Sequence, residues 1–327
     1  MIEDDAFRGL VETHQRALRV HCYRLLGSLQ DAEDQTQETL LRAWRNRDSF
    51  AGRSSLRSWL YRIATNACLD ELDRRGRRRL LPSMVGAPSA SFGPSGGPVD
   101  ETPWLEPFPD AWLDVADAEP GPDVRYETKE AIGLAFVATL QNLAPRQRAV
   151  LLLRDVLGFS AQDVASLLDM TVAAANSALQ RARDRLTGVQ PPNESRLHPD
   201  AERALVERYV GAWERGDMAA FIGLLKSDAV FSMPPLPEWY VGRTAIAEFF
   251  GWATGPAGPG PFRFVPTRAN NSPAFGIYAG NGEPLILHVI AAEKDGIASI
   301  TSFMNPALFT SFGLAPRLAS PATPDRR

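Results

Sequence analysis

The chain has 327 residues, 44% of them hydrophobic and 23% charged, with a formal net charge of −4. That length suits two or three domains of a folded, soluble protein. Cys22 and Cys68 are too few for a disulfide framework or a zinc cluster, and no run approaches the roughly 18 apolar residues of a membrane span. The acidic opening MIEDDAFRGLVETHQ has no signal-peptide core. A reducing cytoplasm is the compartment these features imply. No metal, cofactor or membrane partner is expected.

Residues 1–82 read as helices. Phe7, Leu10, Val11, Leu18, Tyr23, Leu25 and Leu26 recur at near-helical spacing, the mark of one buried face. A second helix follows Ser28 in SLQDAEDQTQETLLRAWRNRD. A third begins at a serine cap in SSLRSWLYRIATNACLDELDRRGRRR, with Leu56, Trp59, Leu60, Ile63, Ala64, Ala67 and Leu72 on one side. Trp59 is expected in the core on that stripe. Residues 83–122 lose the period and read as a Pro/Gly/Ser-rich linker, yet they carry the aromatic run TPWLEPFPDAWLD.

Residues 123–187 are helical again. DVRYETKEAIGLAFVATLQNL predicts one helix and PRQRAVLLLRDVLGF a second, with Pro145 in its first turn. Two short helices then meet at the tripeptide DMT. Ser160 and Thr171 are their caps, and Asp163 completes a capping box with Ser160. After a second joint at 188–198, residues 199–314 change from helical spacing to short alternating runs, and 315–327 read as a tail. AGNGEPL and EKDGIAS are hairpin signals. The block predicts an α+β domain with an antiparallel sheet.

Three stretches carry nucleic-acid chemistry. The helix pair at 145–186 has the helix-turn-helix pattern. Its second helix turns Asn176, Ser177, Gln180, Arg181, Arg183 and Arg185 outward, groups that hydrogen-bond base edges and phosphates. DELDRRGRRR places five arginines between Arg74 and Arg79, an electrostatic footprint for a phosphate backbone. DAEDQTQETLLRAWR clusters Asp31, Glu33, Asp34 and Glu38; such a face repels DNA and suits a basic protein partner. Each stretch also has a plainer reading, as a helical hairpin, a solvated arginine run or an acidic helix start.

Their order, acidic helix, aromatic-bearing basic helix, linker, helix-turn-helix, resembles the extracytoplasmic-function RNA polymerase sigma factors of the sigma-70 family, reduced to regions 2 and 4. The resemblance covers roughly residues 5–82 and 125–187. It implies two all-α sigma domains and no catalytic residue. It implies that Asp31, Asp34, Gln37 and Glu38 meet the β′ clamp helices of core polymerase, with the β flap as a further partner. Phe50, Gly52, Arg53 and Ser54, in FAGRS, would belong to the loop that takes a base flipped from the −10 element. Arg57, Arg62, Asn66, Asp70, Arg74 and Arg75 would line the adjoining promoter-melting surface. Asn176, Ser177, Gln180 and Arg181 would read the −35 element, with Arg183 on a phosphate. This chain has AAAN at 173–176, where many members carry Lys and Arg, which implies either weak intrinsic affinity for the −35 element or more reliance on shape and thymine-methyl contacts.

The C-terminal block resembles SnoaL-like domains, which share a curved α+β cone with an apolar interior able to hold a small ligand. The matching pieces are YVGAWERGDMAAFIGLLKSDAVFSMPP, WYVGRTAIAEFF and PLILHVIAAEKDGIASITSFMNP. The resemblance implies a regulatory role in cis. The alternatives are an enzyme of that type fused to a DNA-binding module, with Asp228, Glu238, Tyr240 or His288 as acid–base candidates, and a repressor that never meets polymerase. TPWLEPFPD and MNPALF resemble two linker and C-terminal motifs of sigma factors with such domains; the Gly-rich motif between them is replaced by SMPPLPEWYVG. Trp104, Leu105, Pro107 and Phe108 are therefore expected to latch onto the segment around Asn305 and Pro306; the plainer reading is that Trp104 and Trp112 cover helices of region 4 or region 2.

Overall fold

The computed structural model describes residues 4–50, 55–76, 78–89, 103–113, 132–186, 197–253 and 262–319. The chain divides into two compact units. One is Met1–Leu80 with Leu105–Glu194, and the other is Leu81–Trp104 with Ser195–Arg327. The predicted linker is thus shared between them, its first part grouping with the C-terminal block.

In the first unit, α1 (Asp4–Leu26), α2 (Leu29–Arg45) and α3 (Leu56–Arg75) bury Leu18, Tyr23, Leu25, Leu60 and Ala64 against one another. Gly27, at φ +69°, ends α1, and Ser28 caps α2 by accepting from the Asp31 amide. A Cβ at Gly27 would stand 2.7 Å from Leu105 Cδ1, so glycine is required both by conformation and by the close approach. His21 is fully buried and bonds Thr65 Oγ1 across α1 and α3 at 2.9 Å. Burial, assisted by the Arg24 and Arg57 charges, holds its pKa down to about 3. Cys22 and Cys68 are free thiols in this core.

The unit continues with α4 (Leu134–Leu140) and α5 (Pro145–Leu151), which runs on through a π-helical turn at Leu152–Val156. Next come α6 (Ala161–Leu167) and α7 (Val172–Leu186). The single long helix expected over 123–143 is described only from residue 132, where the helix is Leu134–Leu140. Ser160 and Asp163 form the predicted capping box, and the Thr171 hydroxyl accepts from the Ala174 amide. Arg148 on α5 is 1% exposed. It donates to the Leu25 carbonyl at the end of α1, to Gln141 Oε1 and to the Gln141 and Leu143 carbonyls. A guanidinium so enclosed is tolerated because carbonyl oxygens surround it; burial still lowers its pKa to about 9.

The second unit holds α8 (Pro199–Glu214), α9 (Met218–Gly223), β1 (Leu225–Ser232), β2 (Trp239–Val241), α10 (Arg243–Ala253), β3 (Phe262–Ala269), β4 (Ser272–Ala279), β5 (Pro284–Glu293), β6 (Gly296–Phe303) and α11 (Leu308–Ser311). Its sheet runs β2-β1-β6-β5-β4-β3. The two sequence-marked hairpins join β4 to β5 and β5 to β6; Asn270 and Asn271, both at positive φ, make the turn from β3 to β4. The sheet is mixed rather than antiparallel as expected, because β1 and β6 pair in parallel. Tyr209, Phe221, Phe231, Phe250 and Ile300 form the core, with ring contacts such as Phe221–Phe250 at 4.9 Å.

Residues of the predicted linker complete this unit. The Ser89 amide donates to the Trp239 carbonyl at 2.8 Å, and the Trp239 indole N–H donates to the Gly86 carbonyl at 3.1 Å. The segment thereby runs beside β2, which closes one edge of the sheet.

Candidate nucleic-acid interface and ligand cavity

On α2, Asp34, Gln37 and Leu41 share an exposed face at helical spacing. Leu41 is 50% exposed, a large apolar side chain held in water among polar neighbours. Sequence reasoning missed it, although its offset of seven residues from Asp34 was the available signal. Glu38 pairs with Arg42 one turn on, at 2.7 Å. Asp31 corrects the sequence expectation. Its side chain is 7% exposed and accepts from Arg75 and Arg79, the latter at 2.8 Å. Ser28 and Asp31 begin α2 where the end of α3 passes, so Asp31 is consumed within the unit. Arg75 pairs with both Asp31 and Glu71, its side chain staying 36% exposed. Arg74 remains exposed beside Glu71.

A groove of about 270 Å³ lies between the end of α2 and the middle of α3, lined by Arg42, Asn46, Trp59, Arg62, Ile63 and Asn66. Trp59 is half-buried and stands on its wall, not in the core as expected. Phe50 packs against it with ring centroids 5.3 Å apart. Asp70 is exposed and approaches Arg42 at 3.5 Å. The groove therefore combines an aromatic face, a guanidinium and an amide, the groups that hold a base removed from its stack. Gly52, Arg53 and Ser54 lie outside the described residues.

Arg57 and Arg62 face the helix-turn-helix block. Arg57 donates to the Leu157 carbonyl at 3.1 Å and lies 4.6 Å from the Phe159 ring centroid. Arg62 pairs with Asp169, the positive-φ residue in the turn before α7, at 3.5 Å. To offer Arg57 to DNA the chain has to break these contacts, whereas the Arg62 side chain is 46% exposed and lines the groove.

On α7, Ala173, Ala174, Asn176, Ser177, Gln180 and Arg181 are exposed, while Ala175, Ala178, Leu179 and Ala182 pack inward. This is the outward face a recognition helix needs. Arg183 is a second correction. It forms a two-pronged pair with Asp155, at 2.9 and 2.6 Å, and the Asp155 side chain is 5% exposed. A buried carboxylate needs such a partner, so Arg183, 30% exposed, is engaged in holding the π-helical turn.

The latch residues divide. Trp104 is buried and groups with the second unit, whereas Leu105 and Phe108 are fully buried in the first. The Phe108 ring lies 4.7 Å from Tyr23, and the Tyr23 hydroxyl donates to the Glu106 carbonyl at 2.7 Å. The Glu106 carboxylate accepts from Ser28 Oγ and the Leu29 amide at 2.9 and 2.7 Å, capping α2. Arg19 covers Trp112 at 4.6 Å. Glu106 and Phe108 are therefore seated on α1 and the start of α2, Leu105 lies against Gly27 between those helices, and Pro107 is buried. Asn305 is used locally, its side chain accepting from the Ala307 amide ahead of α11. Burying Phe108 and Leu105 is worth about 2–3 kcal/mol each.

In the second unit a cavity of about 280 Å³ opens among α8, α10 and the sheet, with Glu238, Tyr240, His288 and Ser302 on its otherwise mostly apolar lining. Asp228 is exposed on β1 and is not among its lining residues. His288 is 2% exposed and is bonded on both nitrogens, to Tyr209 and Ser302. Burial lowers its pKa to about 3, so it is a neutral hydrogen-bonding group. Among the described residues, no group of three His, Cys, Asp or Glu could hold a metal, and no helix is long and apolar enough to cross a membrane.

An exposed polar face on α2, an aromatic groove on α3 and a helix-turn-helix joined through one unit define a promoter-binding factor of the sigma-70 type. Sigma-70 region 2 matches residues 10–78, Sigma-70 region 4 matches 133–186, and the SnoaL-like domain matches 206–296. The chain is 45% identical over 316 residues to the ECF RNA polymerase sigma factor SigG of Mycobacterium tuberculosis, covering 94% of this chain and 84% of that protein. It is 27% identical over 322 residues to SigJ of the same bacterium, covering 93% and 95%. The crystal structure of SigJ shares the fold, with a TM-score of 0.60 at 22% identity over 94% of this chain and 99% of that one. The chain belongs to the ECF RNA polymerase sigma factors. It binds core RNA polymerase and promoter DNA and directs transcription initiation, and it is not an enzyme.

Proposed function

We propose that Asp34, Gln37, Glu38 and Leu41 form the patch that meets the β′ clamp helices. An apolar centre with polar flanks is the usual make-up of such a patch. The Trp59 groove, with Phe50, Arg62 and Asn66, takes the flipped base of the −10 element. Asn176, Ser177, Gln180 and Arg181 read the −35 element, and region 4 meets the β flap. The factor acts in the cytoplasm, where its polymerase works.

The C-terminal unit modulates this activity in cis. The observation that carries this reading is the pairing of linker residues Gly86 and Ser89 with Trp239. The segment that joins regions 2 and 4 is thereby held at one end by the SnoaL-like unit and at the other by α1. Promoter-specific transcription by purified core polymerase with the full-length chain tests both parts. The wild type is expected to give a specific transcript, and Trp239→Ala to change its amount at unaltered core affinity. No transcript from any promoter of its own genome would remove the initiation role, and equal transcript from both chains would remove the grip on the linker.

A further inference from the structure

The cavity of the C-terminal unit has one polar pole whose proton positions follow from hydrogen-bond accounting. Tyr209 is fully buried, and the one acceptor at its hydroxyl among the described residues is His288 Nε2, 2.7 Å away. A buried hydroxyl proton requires an acceptor, so Tyr209 donates to Nε2. The neutral imidazole then carries its proton on Nδ1, and donates it to Ser302 Oγ at 2.8 Å. Ser302 accepts from His288, which leaves its own hydroxyl proton to be donated elsewhere. Ser302 lines the cavity and is 2% exposed, so that donor points toward whatever fills the space.

The rest of the wall sets the kind of molecule. Trp213, Phe231, Phe264 and Ile286 contribute aromatic and aliphatic surface, and Glu238 adds a carboxylate that disfavours anions. The volume of about 280 Å³ is close to twice the roughly 150 Å³ cavity that admits one benzene ring. Glu238 and Tyr240 flank Trp239, the residue that bonds the linker. A ligand against the first two lies next to the linker contact.

We propose that this cavity binds an uncharged aromatic carbonyl compound of about two rings, its carbonyl oxygen accepting from Ser302, and that its occupancy reaches linker residues 81–89 through Trp239. The second half rests on the reading that the C-terminal unit modulates through the linker.

The test uses the full-length protein and two probes of matched shape, 2-acetonaphthone and 2-ethylnaphthalene, titrated by calorimetry. The ketone is expected to bind about threefold to tenfold tighter, the effect of one neutral hydrogen bond. Ser302→Ala removes that preference, and Ser302→Thr, which keeps the donor, retains it. Hydrogen exchange at residues 81–89 changes when the ketone is bound. Failure of both probes to bind the wild type below about millimolar concentration, or a preference that survives in Ser302→Ala, overturns the site. Unchanged exchange at 81–89 overturns the coupling. The titrations contain neither polymerase nor promoter, so the site can fail while modulation through Trp239 stands, and the converse.

Discussion

The guanidinium of Arg57 donates to the carbonyl oxygen of Leu157 across 3.1 Å, although the two stand 100 residues apart in the chain. This bond joins α3 to the block that carries α7, and Phe159 lies under the same guanidinium. Phe159→Leu keeps apolar volume but loses the ring faces toward Arg57 and Tyr61. A cost of about 1–1.5 kcal/mol raises the population in which regions 2 and 4 have parted by about fivefold to tenfold. Distance measurements between labels on α2 and α7 check this in the full chain. An unaltered distance distribution would show that other contacts hold the pair.

Asp31 and Asp34 stand three residues apart and are expected to behave oppositely. Asp31→Asn removes the nearer of two carboxylates that Arg79, whose side chain is 17% exposed, reaches, Glu106 being the other at 3.7 Å. It should lower stability by about 1–3 kcal/mol, below the full cost of breaking a buried pair because Arg79 and Arg75 keep some solvent. Asp34→Lys should leave the melting temperature unchanged and weaken core polymerase binding at least tenfold. Thermal melts beside a polymerase titration separate the two. Equal loss of core affinity in both variants, at equal stability, would return Asp31 to the interface.

Arg181 and Arg183 make the same contrast on the recognition helix. Arg181→Ala should weaken −35 DNA binding by about 1–3 kcal/mol if it reads a base. Arg183→Ala strands the buried Asp155 and should destabilise region 4 by about 2–4 kcal/mol. Urea melts and DNA titrations over several salt concentrations distinguish these effects. A stable Arg183→Ala protein that has lost only DNA affinity would restore the phosphate role.

Two imidazoles give a pH dependence. His21 and His288 have folded pKa values of about 3, against 6.5 for a free imidazole. Between those values the unfolded chain binds more protons, so stability is full above pH 6.5 and falls with acidity until about pH 3. Each residue costs its unit about 1.4 kcal/mol per pH unit in that window. Urea unfolding at pH 7.5 and 5.5 should show this loss, and His288→Gln should remove about 1.4 kcal/mol of it from the C-terminal unit. An equal pH response in that variant would mean that carboxylates dominate.

Local features were the ones legible in the sequence. Ser160 and Asp163 lie three residues apart, so their capping box needs no tertiary knowledge. The hairpins at Asn281–Gly282 and Asp295–Gly296 are equally local. Misreadings came from partners distant in sequence. Asp31 and Arg183 look like surface charges until Arg79 and Asp155 arrive from 48 and 28 residues away. The parallel pairing of β1 with β6 has no turn motif to announce it. Trp59 and Leu60 are neighbours about 100° apart around the helix, so Leu60 faces the core while Trp59 stands beside Arg62 on a groove wall.

The hydrogen bonds that join Trp239 to the Gly86 carbonyl and the Ser89 amide bear on how such a protein changes over generations. A shortened gene ending after region 4 would still encode Leu81–Ser89, but without the strand that satisfies them. It would leave the Gly86 carbonyl and the Ser89 amide without these bonds. A sigma factor that ends naturally at region 4 carries no such debt. In this chain the third domain is no longer a detachable addition, because two residues of the segment before region 4 are bonded to the edge strand of its sheet.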